Sequence, residues 1–131
     1  MPALHPFALE RPHTVDQALT VLAEGGDEAR IMAGGQSLTP LLTLGLSAPS
    51  VIVSLDRCVD LDQQERSAAG LQVGAMVTTG AVERSPAVVD DFALLAEASS
   101  RIGSQHVRNF GTVVGNVCHA DPGGDLVPAL L

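Results

Sequence analysis

Tryptophan and tyrosine are absent from the chain, and phenylalanine occurs only as Phe7, Phe92 and Phe110. A surface that stacks nucleic-acid bases needs a larger supply of aromatic rings. Basic residues are scarce too: seven Lys and Arg stand against fifteen Asp and Glu, a formal net charge of −8. Phosphate backbones are held by clusters of cations, so no nucleic acid is expected as a partner. The only cysteines, Cys58 and Cys118, are sixty positions apart and form no CxxC pair. That excludes a disulfide framework, a zinc site and an iron–sulfur ligand set, and reads as two reduced thiols in a cytoplasmic protein. No apolar run has the length of a membrane span. The opening MPALHPFALERP carries three prolines and mixed charge where a signal peptide has an uninterrupted apolar stretch.

What is present is a chain of 131 residues, 46% apolar, enough for one domain or two small lobes with a real core. Phe7–Leu9 reads as a short edge strand before Pro12. Thr14 and Gln17 form a capping box, Val15, Ala18, Leu19 and Leu22 follow at helical spacing, and Gly25-Gly26 ends the helix. Arg30–Ala33 is a brief strand running into Gly34-Gly35. Ser37 is placed to cap a second helix, with Pro40 in its first turn and Gly45 at its end. Ser50–Leu55 reads as a buried strand. Residues 56–70 are polar and turn-like, which sets expected lobes at 1–55 and 56–131. Leu71–Gly74 is a strand, and Thr78 or Thr79 starts a helical turn. A longer helix is expected from about Ala87 to Ile102, then a polar loop over Ser104–Asn109 and a glycine-rich loop over Gly111–Asn116. Asp125 is placed to cap a last helix. Strand and helix alternate in the first half, and a second similar set is expected in the other. The apolar ending Ala129-Leu130-Leu131 lacks a stop signal and reads as an interrupted helix, with the native polypeptide continuing.

Two segments carry chemistry. In Ile31–Leu38 an apolar strand meets two glycines and a helix start, so that successive N–H groups can point into one concavity. Helix-end donors and the Ser37 hydroxyl add to it. Such a cradle suits a pyrophosphate even in an acidic protein, because main-chain donors require no Lys or Arg. An ordinary strand-to-helix turn accounts for the same residues, and the GxGxxG fingerprint is missing, which removes a Rossmann reading. In Gly103–Asp125, Arg108 could pair with Asp121 or Asp125, Thr112 and Asn116 could bond a ligand, and Asp125 could accept from sugar hydroxyls. A polar surface loop is the alternative. His119-Ala120-Asp121 does not complete a metal shell, and neither Ser37 nor Ser104 has an identifiable His–Asp pairing. No residue is nominated as catalytic.

At these segments the chain resembles the FAD-binding medium subunit of molybdenum hydroxylases, the group that includes carbon monoxide dehydrogenase and xanthine dehydrogenase. The family pattern is AGGxS, then IGxxQIRNxGTxGGN, then DPxxD. This chain has AGGQS at 33–37, IGSQHVRNFGTVVGN at 102–116 and DPGGD at 121–125. HPFALERPHTVDQALTVLAEGG, VIVSLDR and VGAMVTT are also similar, so the resemblance covers nearly the whole chain. It implies an α+β, two-lobed FAD-binding fold of the PCMH type, truncated within the second lobe, with FAD extended between the lobes. Ala33, Gly34, Gly35, Gln36 and Ser37 would then hold the pyrophosphate, with Leu38 next to them. Thr112, Gly115 and Asn116 would approach from the second lobe, Asp125 would sit near the sugar and ribityl hydroxyls, and Ile102 would pack on the cofactor.

The implied function is electron relay in a hetero-oligomer. The molybdenum cofactor would lie on a large partner subunit and two 2Fe–2S iron–sulfur clusters on a small one, with electrons passing to FAD here and on to an external acceptor. The cofactor does such chemistry while the protein supplies position and dipoles. Val114 departs from the family's first glycine of GGN, and His106 from its Gln. If position 114 needs positive φ, valine is strained there, and Val114→Gly would tighten FAD binding. That departure keeps open an assembly module without flavin. A stand-alone flavin oxidoreductase of similar fold is the other alternative.

Overall fold

A computed structural model describes residues 4–131; Met1–Ala3, part of the opening read above, lie outside the described residues. The chain divides into two compact units, the first ending at Val59 and the second spanning Asp60–Leu131.

In the first unit, β1 (Ala8–Glu10), β2 (Ala29–Met32) and β3 (Val51–Ser54) form a parallel sheet in the order β1-β3-β2. The central place goes to β3 because its Val51-Ile52-Val53 run tolerates neighbours on every side; Ile52 and Val53 are buried. Helix α1 (Val15–Gly25) connects β1 to the rest. Its capping box forms largely as read: Thr14 Oγ1 accepts from Gln17 N–H at 3.2 Å. The returning bond goes one residue further back, from His13 N–H to Gln17 Oε1 at 2.9 Å. Helix α2 (Leu38–Thr43) follows β2. Residues past β3 stay with this unit, since Val59 N–H donates to His13 O at 3.2 Å and the Cys58 thiol sits 3.3 Å from Pro12 O. Cys58 is buried, which raises its thiol pKa, while Cys118 is exposed; both are free.

The Arg11 guanidinium is paired with the Asp56 carboxylate, which also accepts from Ser54 Oγ at 2.8 Å. These partners, Arg11 first, hold Asp56 down to about 2. A carboxylate lowered on folding stabilises the native state above its unfolded pKa, near 4. That contribution disappears as pH falls toward 2. Thermal denaturation from pH 7 to 2 should therefore show a loss below about pH 4 that is smaller in Asp56→Asn. Equal acid sensitivity of the two proteins would contradict this.

The second unit is a β4 (Gln64–Ser67) and β5 (Gly70–Val73) antiparallel hairpin with α3 (Thr79–Arg84), α4 (Pro86–Asp91), α5 (Ala93–Arg101), α6 (Gln105–Phe110), α7 (Val113–His119) and α8 (Leu126–Ala129). Val77, Val82, Val88, Leu95, Val113 and Leu126 are central to its core. Four expectations are corrected. The unit is not a second set of alternating strands and helices but a hairpin followed by helices. Part of the turn-like 56–70 stretch is β4, whose four residues are all exposed and polar, so no alternation marks it. The single helix expected over 87–102 is two, broken at Phe92 (φ −135°, ψ 49°). And 105–110 is helical, with Ser104 Oγ accepting from Val107 N–H at 3.4 Å.

Candidate functional site

Strand β2 ends at Met32, where its pairing with β3 stops, and the chain then reaches Gly35, whose φ of 70° lies in the left-handed region. The chain turns there into α2, and Thr39 N–H closes onto Gly35 O at 3.0 Å. Among the described residues, no acceptor lies within hydrogen-bond reach of the N–H groups of Gly34, Gly35, Gln36, Ser37 and Leu38. All five residues are half-buried, as is Ala33. A run of unpaired, partly buried amides around a left-handed glycine is the geometry of an anion-binding nest.

Ser37 does not act as read. Its backbone is already helical (φ −100°, ψ −43°) and its hydroxyl makes no cap bond, so that group too is left without a partner. Gln36 turns its side chain back onto the loop, Nε2 donating to Gly34 O at 3.3 Å.

The expected glycine-rich loop Gly111–Asn116 is instead the start of α7. Neither Gly111 nor Gly115 has positive φ. Thr112 is the N-cap, its Oγ1 accepting from Gly115 N–H at 3.1 Å. Val113 N–H donates to Val77 O at 3.1 Å, and Thr79 N–H to Gly111 O at 2.8 Å. These bonds flank a bridge between Thr78 and Thr112, the caps of α3 and α7. Both helices thus start at one buttressed point, which the separate threonines did not reveal in sequence. Thr112 and Gly115 are bonded to each other, and Thr112 is buried. The groups of this turn still open to a ligand are the Val114 N–H and the half-buried side chain of Asn116.

Val114 occupies a helical position without positive φ, so the strain expected of valine there does not arise. Val114→Gly accordingly loses its rationale as a relief of strain. Asp125 makes no cap bond and stays exposed before α8. The 121–125 turn is instead closed by Asp121, whose carboxylate accepts from Gly123 N–H at 2.9 Å. A Cβ on Gly124 would come within 3.9 Å of Asn116 Oδ1, so this turn adjoins Asn116. Ile102 is half-buried at the end of α5.

Arg108 pairs with neither Asp121 nor Asp125. Its Nε donates to Glu83 Oε2 at 2.9 Å, and its other nitrogens reach Ile102 O, Gly103 O and Gln105 Oε1. Among the described residues no cluster of His, Cys, Asp and Glu could hold a metal ion, and no helix is long and apolar enough to cross a membrane.

Residues 5–131 match the family described as the FAD binding domain in molybdopterin dehydrogenase. The chain is 37% identical over 118 residues to the 6-hydroxypseudooxynicotine dehydrogenase complex subunit alpha of Paenarthrobacter nicotinovorans, covering 90% of this chain and 40% of that protein. It is similar to the structure of carbon monoxide dehydrogenase from Hydrogenophaga pseudoflava (TM-score 0.91, 32% identity), covering 95% of this chain and 44% of that one. Quinoline 2-oxidoreductase from Pseudomonas putida 86 gives a TM-score of 0.89 at 37% identity, with the same coverage of 95% and 44%. The α+β FAD-binding fold expected from sequence is therefore the fold observed, and the chain spans less than half the length of these relatives.

Proposed function

The chain belongs to the family of FAD-binding domains of molybdopterin dehydrogenases, and from that premise we propose that it holds FAD as the electron-transfer part of a molybdenum-dependent oxidoreductase complex. The observation that carries this is the row of unpaired N–H groups from Gly34 to Leu38 around a left-handed Gly35. It fits a diphosphate. Main-chain donors answer two negative phosphates without a basic side chain, in a chain whose net charge is −8.

In this reading Gly34, Gly35, Gln36, Ser37 and Leu38 give their N–H groups to the diphosphate, and Ser37 adds its hydroxyl. Ala33 lets the strand end close to the ligand because it has only a methyl side chain. Ile102 offers apolar surface to the cofactor. Asn116 and the Val114 N–H supply donors, and Asp125 accepts from sugar or ribityl hydroxyls. Thr112 and Gly115 act through the cap they form, which sets where Val114 and Asn116 stand. Bound FAD would take electrons from a reduced iron–sulfur centre and release them to an external acceptor. The centre would belong to a small iron–sulfur subunit and the molybdenum cofactor to a large one, making a cytoplasmic hetero-oligomer.

FAD titration of the full-length protein tests this. Flavin fluorescence reads the binding directly, since it is excited in the visible, where amino-acid side chains do not absorb. Saturable binding of one FAD per chain is expected. A protein that ignores FAD even when assembled with its partner subunits would sink the proposal and favour a purely architectural role.

A further inference from the structure

Every guanidinium nitrogen of Arg108 is engaged within the second unit. Nε donates to Glu83 Oε2 on α3 at 2.9 Å, and Nη2 to Gln105 Oε1 at 3.0 Å. Nη1 spans two successive carbonyls of the α5–α6 turn, Ile102 O at 3.2 Å and Gly103 O at 3.0 Å. The ion pair is largely buried, with side-chain exposures of 14% for Arg108 and 22% for Glu83. The backbone of Arg108 is equally committed. Its carbonyl accepts from the Thr79 hydroxyl at 3.3 Å, and a Cβ on Gly80 would lie 3.0 Å from that oxygen. One residue thus ties α3, the Ile102–Gly103 turn and α6 together, just ahead of the Thr112 cap of α7.

With four of its five N–H donors bonded inside the second unit, the Arg108 guanidinium is committed to the fold rather than to a diphosphate. We propose that Arg108 is a positioning residue for FAD, its side chain acting through Ile102, whose carbonyl it holds. This rests on the FAD reading above. Lysine cannot replace the fork: an ammonium can keep Glu83 but not also span two carbonyls from the same direction. A residue fixing a cofactor-facing position should alter affinity beyond what its stability effect explains.

The test compares wild type, Arg108→Lys, Arg108→Met and Val88→Ala in the full-length protein. Val88 is a fully buried core residue of α4 outside the proposed site, and serves as the stability control. FAD dissociation constants are measured by calorimetry well below each variant's melting temperature, and the visible band of the bound flavin is recorded. Both Arg108 variants should raise the dissociation constant about tenfold and shift that band. Val88→Ala, with a comparable fall in melting temperature, should leave both near wild type. If Arg108→Met does not fold, Arg108→Lys alone decides. Wild-type affinity in the Arg108 variants, or an equal loss in Val88→Ala, overturns the proposal while leaving FAD binding intact. A wild-type protein that takes up no FAD overturns the FAD reading itself.

Discussion

Alanine in place of Gly35 is expected to weaken FAD binding by about ten- to a hundredfold. The residue sits at φ 70°, where an L side chain costs about 1–2 kcal/mol. A Cβ there would lie 3.3 Å from Thr39 Oγ1 and 3.5 Å from Met32 Sδ, tight contacts but with side-chain atoms able to shift. Conformation, rather than room, is therefore what alanine disturbs. A loop that relieves the strain by moving Gly35 to negative φ rotates the adjoining peptide planes and so redirects the N–H groups on either side of it. Calorimetric titration of the full-length variant reads the loss of affinity, and its melting curve reads the strain separately. Affinity within about twofold of wild type would mean that the left-handed turn is not what aims the amides.

Gly74→Ala should have the largest effect on stability, for the opposite reason. Gly74 does not take positive φ, so alanine has no conformational difficulty there. It has no space. A Cβ would overlap the Leu61 carbonyl oxygen, lie 2.7 Å from the Leu61 carbonyl carbon and 3.1 Å from Gln63 O. These are backbone atoms, and they are pinned: Gly74 N–H donates to Gln63 O at 2.9 Å and Met76 N–H to Leu61 O at 2.7 Å. Making room means breaking at least one of those bonds at the base of the β4–β5 hairpin. A destabilisation of about 3 kcal/mol or more is expected, read from the urea midpoint with the slope checked for constancy. A change under about 1 kcal/mol would show that the 61–63 segment yields more easily than its hydrogen bonds imply.

What could be read from the sequence follows from where the deciding interactions lie. Thr14 was legible as a helix start, and Thr78 as one of two neighbouring threonines, because a cap is local, a hydroxyl meeting an N–H three residues on. The passage from β2 through Gly34-Gly35 into α2 was legible because glycine after a short apolar run marks a turn. The missed elements are fixed at a distance. Strand β4 is polar throughout, and what pairs it is β5 together with Arg66, which bonds Asp91 at 2.8 Å and lies 5.5 Å from the Phe92 ring centre. Helix α6 has few apolar residues and is secured by Arg108. The break at Phe92 carries no glycine or proline to announce it. The same distinction holds in the candidate site: the turn at Gly34-Gly35 in the first unit was readable from its own residues. The second segment was misread as a glycine loop because its helical start depends on the Thr78–Thr112 bridge, whose partners lie far apart in sequence.

The central claim is that main-chain N–H groups of residues 34–38 take the diphosphate, and amide NMR tests it most directly. In an isotope-labelled full-length protein, adding FAD should shift the signals of Gly34, Gly35, Gln36, Ser37 and Leu38 strongly downfield and slow their exchange with water, as new acceptors reach donors that have none among the described residues. Saturation with FAD while these five signals stay where they were would contradict the account.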